Sequence, residues 1–363
     1  MLQHFKGSIA FTIVALALAG VNGYVQQHAL AAVASAIFIA AVLGVMEASL
    51  SLDNAVVNAT VLRDMEEKWV KRFLTWGIAI AVFGMRVIFP LVIVAIAAKV
   101  TPWEAVRIAL LDHKRYESIV TGAHIGISGF GGAFLALVGL SFFFDEDREH
   151  LWLPVVEKPL TKFAKVPYVQ YIATIIIVGA LSFFVAHGEQ KTFLIAAASG
   201  IATFFAVDLL GDKMGASEDA TGKIVRTGAA SFIYLEFLDA SFSFDGVIGA
   251  FAITNDIVQI ALGLGIGAMF VRSMTVALVH GGTLNEYRFL ESGAFYAIIA
   301  LAAIMLLSTI GIETPEVITG LVGAAFIGAA FWASVQHKRR FPEQYTDDSD
   351  HEVILPTGDV LPN

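Results

Sequence analysis

The sequence predicts an all-α, polytopic membrane protein of about nine to ten spans. Three observations carry this. The chain of 363 residues is 57% hydrophobic and only 15% charged, where a soluble domain is nearer one-quarter charged. Apolar stretches of about 18 or more residues recur, each long enough to cross a hydrocarbon core of about 30 Å. The alternating segments of about ten residues that build a transmembrane barrel are missing. Cysteine is absent, which excludes disulfides, thiolate metal sites and thiol catalysis. The net charge of −9 comes partly from an acidic tail and says nothing about nucleic acid.

Ten spans are expected, and each has its own reason. The first, 8–25, is an apolar run after a weakly basic start (His4, Lys6); a cleaved signal peptide is the minor alternative. The second, 29–58, opens with seventeen uncharged residues, "ALAAVASAIFIAAVLGV", and continues into "MEASLSLDNAVVNA". The third, 73–98, contains "GMRVIFPLVIV". The loop after it, "KVTPWEAVRIALLDHKRYE", has four basic residues and an apolar face at helical spacing, which reads as a helix lying on the outer surface. The fourth span, 118–144, is built on "GISGFGGAF". Those glycines suit close helix packing; a phosphate loop would need a Lys-Ser/Thr and a preceding strand. A charged loop leads to a hairpin of spans 167–187 and 190–210, turned at "AHGEQK". Spans 228–253, 256–279, 292–310 and 315–336 follow, and the tail lacks apolar periodicity.

The organisation expected from this pattern is an N-terminal helix (1–28), a first repeat (29–144), and a charged loop with its connecting hairpin (145–227). A second repeat (228–310), a last membrane helix (311–336) and a disordered acidic tail (337–363) complete it. With the N-terminus inside, the inner segments carry 16 Lys and Arg and the outer segments 5. Loop basic residues mark the cytoplasmic side, so both termini are expected inside, in the plasma (bacterial inner) membrane.

The repeat is the most informative feature. "EASLSLDNAV" (Glu47–Val56) aligns without gaps with "DASFSFDGVI" (Asp239–Ile248). Acid falls on acid at Glu47/Asp239 and Asp53/Asp245, and Ser51 falls on Ser243. Chance similarity of two apolar helices would match Leu, Val and Ala, not two acids and two serines. One span after each copy stands an arginine, Arg86 or Arg272, and "GGAFLAL" and "SGAFYAI" follow. The second to fourth spans therefore correspond to the seventh to ninth. An offset of five spans inverts the second copy, and inverted repeats place substrate sites at their interface near the bilayer midplane.

An acid at mid-membrane costs about 2.5–3.5 kcal/mol, so Glu47, Asp53, Glu236, Asp239 and Asp245 together cost on the order of 10 kcal/mol. Arg86 and Arg272 offset only part of that charge, whether as structural ion-pair partners or by pairing with the acids when no ion is bound. The deficit suits a divalent cation with protons as coupling ion, since close carboxylates share protons. Oxygen donors favour Mn²⁺, Ca²⁺ or Mg²⁺ over Cu⁺ or Zn²⁺. The expected ligands are Glu47, Asp53, Asn54, Asp239 and Asp245, with Ser51, Asn58, His124, Glu236 and Ser243 as further ligands or supports. His124 is more simply read as a hydrogen-bonded interior histidine. On an ideal helix Glu47, Ser51, Asn54 and Asn58 share a stripe, and Asp53 lies about 120° away. Either the helix has two polar edges, or it is interrupted near "SLSLD" or "SFSFDG", with Gly246 and Gly249 favouring the second copy. No catalytic set appears: HExxH is absent, and an enzyme is not expected.

"EASLSLDNAVV" resembles the signature of the TerC/Alx family of integral membrane proteins, and "DASFSFDGVIGAFAIT" resembles its second signature. The resemblance implies a fold related to the LysE-type exporters and a role in manganese efflux or metal homeostasis, with tellurite resistance as the historical association. It implies that Glu47, Asp53, Asn54, Asp239 and Asp245 bind the ion. The chain departs from the pattern in its long charged loop, its extra hairpin and Gly246 in place of the asparagine, as a divergent subgroup would. The function expected is a secondary exporter of a divalent cation, Mn²⁺ first. A Ca²⁺ or Na⁺ transporter of the same architecture, or a non-transporting scaffold in the stress response, are the alternatives.

Overall fold

In lipid a backbone amide has no partner but the chain itself, so apolar segments of this length must fold as helices. The computed structural model describes residues 5–341 except 64, 147, 149, 215, 219–223, 227 and 281–285. At 74, 78, 211–214, 216–218, 224–226, 244, 245, 248, 252, 280, 316 and 317 it describes the backbone only. Helices α1 (Lys6–Gln27), α2 (Leu30–Leu50), α3 (Leu52–Arg63) and α4 (Glu67–Ala79) lead into a π-helical segment, Ile80–Ile88. Then come α5 (Phe89–Ala97), α6 (Pro102–Leu111), α7 (His113–Gly122), α8 (His124–Phe143) and α9 (Pro154–Thr161), the last ending in a 3₁₀ turn, Lys162–Lys165. The rest of the helices are α10 (Val169–Ser182), α11 (Gln190–Met214), α12 (Gly228–Ile253), α13 (Ile257–His280), α14 (Leu290–Ser308) and α15 (Glu316–Arg340).

Among the described residues, eight helices are long and apolar enough to cross a membrane, and nine if the bent pair Pro154–Lys165 and Val169–Ser182 is one span. This is an integral membrane protein. Two of the ten expected spans fall outside the count of eight. The fifth expected span is a helix of 14 residues that meets the preceding one at 109°. The seventh, α12, has 26 residues but includes three acids, Glu236, Asp239 and Asp245. The fold is all-α as expected, with one small antiparallel hairpin, β1 (Ala216–Glu218) and β2 (Ile224–Arg226), before α12. The loop after the third expected span forms two helices, α6 and α7, capped by Thr101 and Asp112 side chains that accept from Glu104 and Arg115 N–H groups.

Helices α8 and α14 carry much of the largest buried cluster, with Phe134, Leu135, Leu137, Ile298 and Met305 all buried in it. The glycines of "GISGFGGAF" are the reason these helices approach closely. A Cβ at Gly131 would meet Met305, one at Gly132 would meet Leu306, and one at Gly129 would meet Phe193 of α11. This is the packing role expected of them.

Two polar ties fix α1. Ser8 Oγ donates to the Met269 carbonyl of α13 at 2.6 Å. At the other end, Asp256 Oδ2 accepts from Asn22 and Gln26, while its Oδ1 caps α13 by accepting from the Val258 and Gln259 N–H groups. Removing a side-chain cap of this kind typically costs about 1 kcal/mol. Asp256→Ala is therefore expected to lower stability by about 1–2 kcal/mol, with faster amide exchange in the first turn of α13. Unchanged exchange there would refute the cap's contribution.

Candidate functional site

The first motif copy is interrupted at Ser51. This residue sits between α2 and α3 with φ −100° and ψ 22°, a sparsely populated region of backbone space. The ladder survives the irregularity, since Ser51 N–H donates to the Glu47 carbonyl and Ala55 N–H to the Ser51 carbonyl. The second copy lies within the continuous helix α12. So an irregularity of one residue exists, with the ladder intact, in the copy opposite to the one its glycines favoured. The reason is that Gly246 serves close approach instead: a Cβ there would collide with Glu47 Oε2.

The two copies meet at Arg86. Its guanidinium, 2% exposed, donates from Nη2 to Glu47 Oε1 and from Nη1 to Asp239 Oδ2 at 3.4 Å. Nη1 also donates to the Ala81 carbonyl at 2.8 Å, inside the π-helical segment. Asn54 Nδ2 donates to Asp239 Oδ1 at 2.7 Å, and Ser51 Oγ donates to Glu47 Oε1 at 3.3 Å. Five expected residues therefore form one buried network across α2, α3, α12 and the π segment. Buried charges persist only when paired and hydrogen-bonded, and here one cation serves two carboxylates.

Two small cavities, each about 30 Å³, flank this network. A space of about 10–15 Å³ holds one water, so each has room for a dehydrated or singly hydrated ion. The first is lined by Glu47, Ser51 and Asp53, with Gly246 of α12 and Thr319 of α15. Asp53 thus opens on the same space as Glu47. The second is lined by Arg86, Asp239, Asn58, Glu236 and Arg272. Asn58 Oδ1 and Glu236 Oε1 have no hydrogen-bond partner among the described residues.

Other expected residues stand elsewhere. Arg272 lines the second cavity, and among the described residues it donates to the Phe73 carbonyl at 3.0 Å and to no acid. Ser243 is buried with no partner for its hydroxyl among the described residues. His124, the first residue of α8, lines neither cavity, and its charged neighbour is Glu313. The side chain of Asp245 lies outside the described residues. Among the described residues, no three or more His, Asp or Glu stand close enough together to hold a metal ion.

Sequence reasoning missed α15, whose Thr319 and Val322 line the first cavity and whose Gly323 faces Asp53. Its "ITGLVGAAF" has small residues at helical spacing, the one available signal of a close neighbour. It also missed Gly267 of α13, against which Glu47 packs.

A family profile described as protein of unknown function (DUF475) matches residues 52–341. The chain belongs to this family. The DUF475 match takes in Asp53, Asn54, Arg86 and Asp239 and begins after Glu47 and Ser51. No curated protein and no solved structure matches the chain.

Proposed function

We propose that this protein is a secondary transporter that exports a divalent cation, Mn²⁺ first, in exchange for protons. The observation that carries the reading is the pairing of acids from the two motif copies, Glu47 and Asp239, around one buried site in an apolar bundle, with Asp53 opening on the cavity beside Glu47. Acids at such depth are expensive and mark ion pathways. The ion would be held in the first cavity by Glu47 and Asp53, with the Ser51 and Thr319 hydroxyls as neutral oxygen donors. That donor set is hard and all-oxygen, which suits Mn²⁺ and Ca²⁺ and disfavours soft metals. His124 has no part in this reading.

The repeat supports the same reading. Two copies in register, five expected spans apart, would form an inverted pair with α12 crossing the membrane as a tenth span. The termini would be cytoplasmic, as the loop charges suggest. The likeness of "EASLSLDNAVV" to the TerC/Alx signature points the same way.

The test is flux in proteoliposomes that contain the full chain. Wild type is expected to move Mn²⁺, with Ca²⁺ and Na⁺ as comparison ions. Asp53→Asn keeps the shape and removes the charge, and is expected to lower Mn²⁺ flux by about 100-fold, the loss of about 2.7 kcal/mol of ion binding. Wild-type flux of none of these ions would sink the transport reading in favour of a scaffold. An Asp53→Asn variant as fast as wild type would sink the site.

A further inference from the structure

We propose that Arg86 is a tethered cation that competes with the transported ion, so that the ion binds and passes only as the guanidinium withdraws. The inference rests on the transport reading above and assigns the device that keeps the pathway closed.

Arg86 stands where the two copies meet. It holds Glu47 and Asp239 together, and those two carboxylates face different cavities. Glu47 is shared between both sides: Oε1 accepts from Arg86, while Oε2 is directed at Gly246 beside the first cavity. Arg86 itself lines the second cavity. Arg86 bridges Glu47, which lines the first cavity, and Asp239, which lines the second. Arg86 and an ion in the first cavity would both draw on the same carboxylate, Glu47. Each therefore weakens the binding of the other.

The backbone under Arg86 is suited to withdrawal. Ile80–Ile88 is a nine-residue π-helix, a rare form that is frequent at functional sites. Arg86 Nη1 is latched to the Ala81 carbonyl of this same segment. Tightening a π turn to α by one residue rotates what lies beyond it by about 100°. Such a rotation would carry the guanidinium off the two acids without unfolding the helix. Among the described residues the second copy shows no such device: Arg272 donates to a backbone carbonyl and lies within regular helix. The two arginines, equivalent in sequence, therefore differ in role.

The experiment measures Mn²⁺ binding to the purified full chain in detergent by titration calorimetry. Arg86→Gln removes the competing charge and is expected to bind Mn²⁺ at least about tenfold more tightly. Arg86→Lys keeps a charge but lacks the planar fork that spans two carboxylates, and should bind about threefold more tightly. Arg272→Gln should stay within about twofold of wild type. Arg86→Gln that elutes as wild type and binds no more tightly overturns the proposal. Equal tightening by Arg272→Gln does so too, because it would reduce the effect to bulk charge. Should Arg86→Gln fail to fold, Arg86→Lys decides, and unchanged affinity there is the overturning result. Wild type that binds no Mn²⁺ would instead overturn the transport reading itself, and this inference with it.

Discussion

Gly267→Leu is expected to unseat Glu47 and to destabilise the bundle together. Gly267 of α13 lies against α2 so closely that a Cβ would collide with Glu47 Cβ and Cγ and come within 2.9 Å of the Ala48 nitrogen. Backbone cannot yield as a flexible side chain can. Gly263, one turn earlier, is equally tight against Leu43, and Gly44 of α2 is tight against Ile266. Lipid tails are as apolar as the helices they surround, so close packing of this kind supplies much of what holds membrane helices together. Forcing a leucine into the contact should cost about 1–3 kcal/mol or more, read as a fall in unfolding temperature in detergent. Because the displaced residue is Glu47, Mn²⁺ affinity should also drop by about tenfold or more. Gly265→Ala is the matched control, since its Cβ would meet only Phe11 and Val82, the nearest atoms at 3.4 Å. It should change stability by less than about 1 kcal/mol and leave affinity unchanged. Equal effects of both substitutions would refute the contact.

How much of this was legible in the sequence depends on which physical signal a residue leaves. Charges in an apolar run leave a strong one. Glu47, Asp239 and Arg86 could be paired on paper, and the structure brings them together with Asn54 joined to Asp239. Backbone irregularity leaves almost none. Nothing in "IAVFGMRVI" announces a π-helix, because its wide turn is set by tertiary packing and not by side-chain propensity. The irregularity at Ser51 was legible only as a possibility, and glycines pointed to the other copy. In water a helix glycine weakens the helix; in lipid the same residue is used for approach, as Gly246 and Gly267 are at Glu47. The two arginines show the limit of a repeat argument. Arg86 and Arg272 each follow a copy of the motif, yet among the described residues Arg86 donates to two carboxylates while Arg272 donates to a backbone carbonyl. Asn54 in one copy and Gly246 in the other had already marked the pair as unequal.

Glu157→Ala is expected to be the most damaging single change outside the site. The charged loop after α8 is held down by a buried clasp. Glu157, fully buried, accepts from Arg148 Nη2 at 2.6 Å, from the Leu153 N–H at 2.8 Å and from the Tyr296 hydroxyl at 3.2 Å. Arg148 also donates to Ser292 and lies over the Phe142 ring at 4.1 Å. The clasp thus ties the loop and α9 to both central helices, α8 and α14. Taking one partner from a buried ion pair leaves the other charge uncompensated and costs about 3–5 kcal/mol. Glu157→Ala should lose that much, because it strands Arg148 and removes the acceptor of two further donors. Arg148→Met should cost less, since Glu157 keeps its N–H and hydroxyl donors. The double change, Arg148→Met with Glu157→Leu, removes both charges and fills the space, so it should be more stable than Glu157→Ala alone. A double-mutant cycle of unfolding in detergent reads the coupling directly, with 0.5–3 kcal/mol as the order of magnitude for residues in contact. Strict additivity would mean that the loop is held by its apolar contacts, Trp152 on Tyr296 among them, and that the ion pair is incidental.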